Sequence, residues 1–157
     1  MRDIWKVIER DGKMGKWAVP YVTLSPVGDI LITRVTWERS GSPEAYLIMF
    51  DDRNQRIGLK GTVLGAKNGY KAYKTGNAGS KRLICRRLLI EHGIRLEHGI
   101  RFTDIEIQHD GFIILDLRTA VPNRLSVHRQ RREAQRRSSV VLESENVRAS
   151  PIDEART

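Results

Sequence analysis

A short block of this sequence is written twice. Residues 30–41, ILITRVTWERSG, align with residues 82–93, RLICRRLLIEHG, at one fixed offset. Leu31 falls on Leu83, Ile32 on Ile84, Arg34 on Arg86, Trp37 on Leu89 and Gly41 on Gly93. Each block reads as an apolar strand running into a short helix that stops at a glycine. Each is followed by two more strand-like runs, 45–51 (AYLIMFD) with 56–60 (RIGLK), and 102–108 (FTDIEIQ) with 112–117 (FIILDL). A duplicated strand–helix–hairpin unit constrains the architecture before any single motif does. The expected fold is α+β and β-rich, with units over about 21–60 and 71–117 inside a domain spanning 21–122. Small paired units of this kind point to binding rather than catalysis.

Local signals fill in the units. YVTL and ILIT flank SPVGD, where Pro26 pre-sets its own φ and Gly28 can take a positive one, so 21–33 reads as a hairpin. The Thr33 hydroxyl is placed to cap a helix over 34–40. Gly41 ends that helix and Ser42-Pro43 prevents its resumption. AYLIMF is continuously apolar, as expected of a strand covered on both faces. In RIGLK, Ile57 and Leu59 share a face. Residues 61–80 hold five glycines interleaved with Lys67, Lys71, Lys74, Tyr70 and Tyr73. A strand near 70–75 is expected to pair with 81–84 across the Asn77–Ser80 turn. Cys85, Leu88 and Leu89 share one face of a second helix over 85–92, which Gly93 ends. His109-Asp110-Gly111 makes the last turn.

Both ends differ from this middle. Residues 1–20 read as an irregular lead-in with a hairpin signal at Asp11-Gly12. Residues 123–157 are polar, with eight arginines and five acids, and have too little apolar surface to offset ordering entropy. They read as a basic disordered tail with a transient helix over 127–137.

The net charge is +9, and removing the +3 of residues 123–157 leaves +6 on residues 1–122. A domain basic in its own right concentrates polyanions, which favours nucleic acid over acidic metabolites. No run approaches the ~20 apolar residues of a membrane span, and the charged N-terminus lacks an apolar signal core. One cysteine, Cys85, excludes an intramolecular disulfide and a multi-cysteine zinc site. These features point to a cytoplasmic protein with no membrane partner.

The run VTLSPVGDILIT, a short helix to a glycine and then AYLIMFDDRNQRIGLK resembles the swapped-hairpin domain of AbrB-like and MraZ-like transcription factors. Two such units in one chain look most like the MraZ arrangement. The resemblance covers 21–60 fairly well and 71–117 loosely. It implies a small swapped-hairpin barrel, oligomerisation and DNA binding in transcriptional regulation. The chain departs from the pattern at two positions. Asp29 follows the turn glycine where a basic residue is usual, and Thr33 stands where a proline would precede the helix.

The densest positive run of the domain is Lys71, Lys74, Lys81, Arg82, Arg86 and Arg87, on both sides of the 76–79 turn. Read as one ridge it would contact phosphates, with Arg129, Arg131, Arg132, Arg136 and Arg137 of the tail adding non-specific affinity. DNA is favoured over RNA, for which no module signature is present. Lysines also guard sheet edges, which is the ordinary structural use of such residues. Gly76–Lys81 lacks the phosphate-loop spacing. Cys85 lies on an apolar helix face and reads as core rather than nucleophile. His92, His98, His109 and His128 show no ligand spacing, so neither cofactor, metal nor catalytic group is assigned. The alternative to a nucleic-acid binder is a non-enzymatic adaptor or antitoxin-like partner whose tail folds on its target.

Overall fold

The structure, a computed structural model, describes residues 19–124, 128–129 and 131–139. The chain divides into two units, Met1–Pro122 and Asn123–Thr157. The Asp11-Gly12 turn, Trp5 and Trp17 lie outside the described residues.

In the first unit, β1 (Val22–Leu24) and β2 (Asp29–Ile32) form the expected hairpin, with Val22 opposite Ile32. Its turn requires Gly28, whose φ is +91°. The short helix α1 (Arg34–Arg39) follows, but Thr33 does not cap it through its side chain. The Thr33 hydroxyl instead donates to the Tyr21 carbonyl at 3.1 Å and lies 2.8 Å from the Thr36 hydroxyl. A buried hydroxyl takes a full set of partners, and here those partners tie the helix start to the first strand. At its other end, Ser42 N donates to Trp37 O and Gly41 N to Glu38 O. That is a Schellman closure.

Next come β3 (Ala45–Asp51) and β4 (Arg56–Thr62), a seven-pair antiparallel hairpin. The glycine-rich stretch then yields two short strands, not one. β5 (Tyr70–Lys71) pairs with β3, and β6 (Tyr73–Thr75) pairs with β7 (Ser80–Ile84). The break is at Ala72, whose amide bonds Glu44 O as the chain crosses between sheets. The helix α2 (Arg86–Glu91) closes as α1 does, with Ile94 N to Leu89 O and Gly93 N to Ile90 O. The sequence repeat therefore reproduces a hydrogen-bonded motif, position for position.

The run 102–108 is also divided. Phe102 ends β8 (Ile100–Phe102), which pairs with β1, whereas β9 (Ile105–Ile107) pairs with β10 (Ile113–Asp116). A short strand, β11 (Val121–Pro122), completes the unit beside β8.

Two open sheets result, in the orders β11-β8-β1-β2-β7-β6 and β5-β3-β4-β10-β9. The expected closed barrel does not form. The edge strands β5, β6, β9 and β11 are only two or three residues long, and Pro122 has no N–H to offer a further strand. Val22, Leu24, Ile30, Ile32, Leu83 and Phe102 from one sheet meet Tyr46, Ile57, Leu59, Ile113 and Leu115 from the other in a single core. Within it the Tyr46 hydroxyl lies 2.7 Å from Ser40 Oγ, and burial pushes its pKa up to about 12. β3 is not covered on both faces as expected, since Met49 is 42% exposed on the outward side.

Each unit contributes one hairpin to each sheet. β1–β2 and β6–β7 lie in the first, β3–β4 and β9–β10 in the second, with β8 inserted in the later unit. In the ladder joining the first two hairpins, Asp29 pairs with Ile84 and Ile32 with Lys81. The sequence offset carries Asp29 onto Lys81 and Ile32 onto Ile84. The ladder is therefore centred on a local two-fold axis relating the units.

In the second unit, residues 131–139 are helical and exposed throughout. A helix thus stands where a transient one was expected over 127–137. Ala134, Gln135, Arg136 and Arg137 are good helix formers, and Arg129 pairs with Glu133 one turn on, at 3.1 Å. No helix among the described residues is long and apolar enough to cross a membrane.

Candidate nucleic-acid interface

The local two-fold places each hairpin turn against the helix start of the other unit. A Cβ on Gly28 would come within 2.6 Å of Arg86 Cα, and Cys85 N donates to Gly28 O at 3.0 Å. At the opposite end, a Cβ on Gly79 would lie 3.3 Å from Arg34 Cδ. The two ends are alike in placement but not in contacts, since Thr33 N, the counterpart of Cys85 N, bonds Tyr21 O and Gly79 meets only the Arg34 side chain; they also differ in what they carry.

At the second turn, Lys74 stands directly opposite Lys81 on paired strands. Paired residues share a sheet face, so the two lysines are cross-strand neighbours, and like charges so placed destabilise a sheet. Lys81 finds partial relief over the Trp37 ring, with Nζ 4.2 Å from the centroid. The ring is fixed beneath it, because Trp37 Nε1 donates to Pro43 O at 2.9 Å. Trp37 thus packs on the core as its alignment with Leu89 implied, and it also forms the floor of a cationic site. Arg34 completes the cluster, paired with Glu38 at 2.6 Å on an exposed helix face.

The expected single ridge does not form, for a simple geometric reason. Consecutive strand residues point to opposite faces. Arg82 follows Lys81 and so projects from the other side of the sheet, opposite Tyr73 and Leu31. Lys71 lies in the second sheet, with its Nζ 5.3 Å from the Tyr73 ring. Arg86 is exposed at the start of α2, beside the first turn. Arg87 is committed to an ion pair with Glu91. Lys74, Lys81, Arg82 and Arg86 have no ion-pair partner among the described residues. In the second unit Arg129 is paired with Glu133, while Arg131, Arg132, Arg136 and Arg137 are exposed on the helical stretch. Arg132 and Arg136 are one turn apart and share a face.

Sequence reasoning passed over Arg34, which stands outside the charge-dense run. The signal that could have found it was its alignment with Arg86 in the repeat. Cys85 is 2% exposed on the core side of α2, and a hydrogen bond with it raises the Tyr70 pKa. Among the described residues no group of three or more His, Cys, Asp or Glu side chains could hold a metal ion.

No protein-family model matches the chain, and neither the curated proteins nor the solved structures include a match to it.

Proposed function

We propose that the chain is a non-enzymatic, cytoplasmic DNA-binding protein of the transcription-regulator class, with a swapped-hairpin architecture of the AbrB-like and MraZ-like kind. The seating of each hairpin turn on the other unit's helix start supports that architecture. The observation that carries the functional reading is the Lys74–Lys81 pair over Trp37. Two like charges held opposite each other, with no acidic partner among the described residues, are relieved by a polyanion. A phosphate backbone laid along the second turn would meet both ammonium groups, with Arg34 beside them. Phosphate contacts of this kind give affinity without sequence information. Arg131, Arg132, Arg136 and Arg137 would add a non-specific contribution, and Arg86 a flanking one.

A second reading is a protein–protein adaptor or antitoxin-like partner. The apolar outer face around Met49, Phe112 and Ile114 favours it, because a polyanion has no use for such a surface.

The deciding experiment is a gel shift in a salt series with duplex DNA, single-stranded DNA and RNA. Duplex binding should weaken steeply with salt. The Lys74→Gln/Lys81→Gln variant should lower the slope of log K against log salt by roughly two units, about one per lost phosphate contact. Arg82→Gln, on the opposite face, should leave that slope unchanged. If the parent protein binds no nucleic acid at low salt, the DNA-binding reading fails.

A further inference from the structure

The outer face of the β5-β3-β4-β10-β9 sheet is unlike the rest of this basic protein. Cross-strand register places Met49, Gly58, Ile114 and Glu106 in one row across it. Met49 is 42% exposed, and Ile114 and Phe112 are half-buried. The Phe112 ring covers Gly58 of the central strand, lying 2.6 Å from where a Cβ would stand. Met49, Gly58, Phe112 and Ile114 surround a hollow of about 190 Å³. Below this row Asp51, Arg56 and Asp116 stand side by side on three strands, with Arg118 bonded to Asp116. Lys60 and Glu106 flank the apolar centre on the same face. The formal charge of these six ionisable groups is zero, within a domain whose residues 1–122 carry +6.

We propose that this face is the contact between two copies of the chain, related by a two-fold axis running between β4 and β10. The axis exchanges those two strands. Ile114 of each copy then packs on the Phe112 ring that covers the other's Gly58, at the rim of the hollow, and Arg56 of each copy lies over the other's Asp116. Lys60 of each copy reaches the other's Phe112 ring. Every contact is returned by its mate, as an isologous interface requires. The face is both protrusion and hollow, both acid and base, which makes the same surface its own complement. A neutral patch also lets two positively charged molecules meet without the repulsion that other faces would impose. Five strands at about 4.8 Å spacing, up to seven residues long, give a face of roughly 20 Å by 20 Å. That is roughly 400 Å² a copy and about 800 Å² in total, below the size of stable specific interfaces, so the dimer should be weak and form in a concentration-dependent way.

Sedimentation of the full chain over about 1–300 µM tests this, a range chosen for dissociation constants in the micromolar region. The mass should rise from 18.0 kDa towards twice that value. Ile114→Asp should weaken dimerisation at least roughly tenfold, as loss of a central apolar anchor does. A thermal melt of the same variant checks that it folds. An independent reading needs no variant. Peroxide oxidation of Met49, followed by peptide mass spectrometry, should slow as the parent protein is concentrated. A protein that stays monomeric throughout overturns the proposal. So does a dimer in which Met49 oxidises equally fast at both ends of the range, since another face would then hold it together.

Discussion

Gly28 is the position where one added methyl group tests the interlocked architecture. Alanine there meets two penalties. Its φ of +91° is left-handed, which costs an L-residue about 1–2 kcal/mol. Its Cβ would also stand 2.6 Å from Arg86 Cα, 2.8 Å from Cys85 O and 2.9 Å from Arg86 N, all backbone atoms of the other unit. Backbone cannot rotate aside as a side chain does, so relief requires moving the first hairpin off the start of α2. That also strains the Cys85 N to Gly28 O hydrogen bond. Overpacking of this kind costs about 1–3 kcal/mol, giving a total of roughly 2–5 kcal/mol. A domain of this size has about 5–15 kcal/mol in all. Gly41 is the control, with φ +92° and nothing within 4 Å of its hypothetical Cβ, so Gly41→Ala should bear the backbone penalty alone. Urea unfolding of both variants measures the difference directly, and Gly28→Ala should lose about 1–3 kcal/mol more than Gly41→Ala. In a melt that difference is on the order of 10 °C for about 100 ordered residues. Equal losses would show that the turn does not seat against α2, and the interlocking argument would collapse.

Two further outcomes are expected. Hydrogen bonds from Asn54 and then Arg56 hold the Asp51 carboxyl at about 2, and those from Arg118 hold Asp116 at about 2. Both values lie below that of the unfolded chain, so their stabilisation is complete above about pH 4 and is lost as pH falls towards 2. Urea midpoints should drop across that window, and Asp116→Asn should flatten the drop; an unchanged acid limb would refute the assignment. Truncation after Pro122 should leave the melting temperature of the remaining domain nearly unchanged, and a loss of several degrees would show that residues 123–157 support it.

The elements legible in the sequence were those whose signals are local. The hairpin over 21–33, both helices and their glycine stops, and the Ile57/Leu59 face follow from turn chemistry and short periodicity, and the structure has all of them. What the sequence hid was where the chain changes sheets. Nothing in NGYKAYKTG marks Ala72 as a crossing point, because the crossing is set by a bond to Glu44 O, a distant partner. Phe102 was likewise grouped with the strand after it, although its ladder partner is Val22. The site was half legible for the same reason. Charge density located the 76–79 turn, and alternation within β7 then divided the residues between two faces. Arg34 and the Trp37 floor could be gathered only by the fold.

The repeat shows why one end of the ladder is the candidate site and the other is not. The two ends share a scaffold: a glycine-containing turn, a helix start packed against it and the same Schellman closure. The equivalent positions differ in chemistry. Lys81 of the second hairpin corresponds to Asp29 of the first, and Trp37 of the first helix corresponds to Leu89 of the second. The cation resting on an indole at one end thus has an acid and an aliphatic side chain as its counterparts at the other. Asp29 gives its amide to Ser25 Oγ at 3.0 Å and so belongs to its own turn. Both ends keep an exposed arginine at the helix start, Arg86 beside the first turn and Arg34 beside the second. Only the second adds a cross-strand lysine pair, Lys74 and Lys81. Asp29, which departs from the resembled pattern, is what the first end carries in place of Lys81.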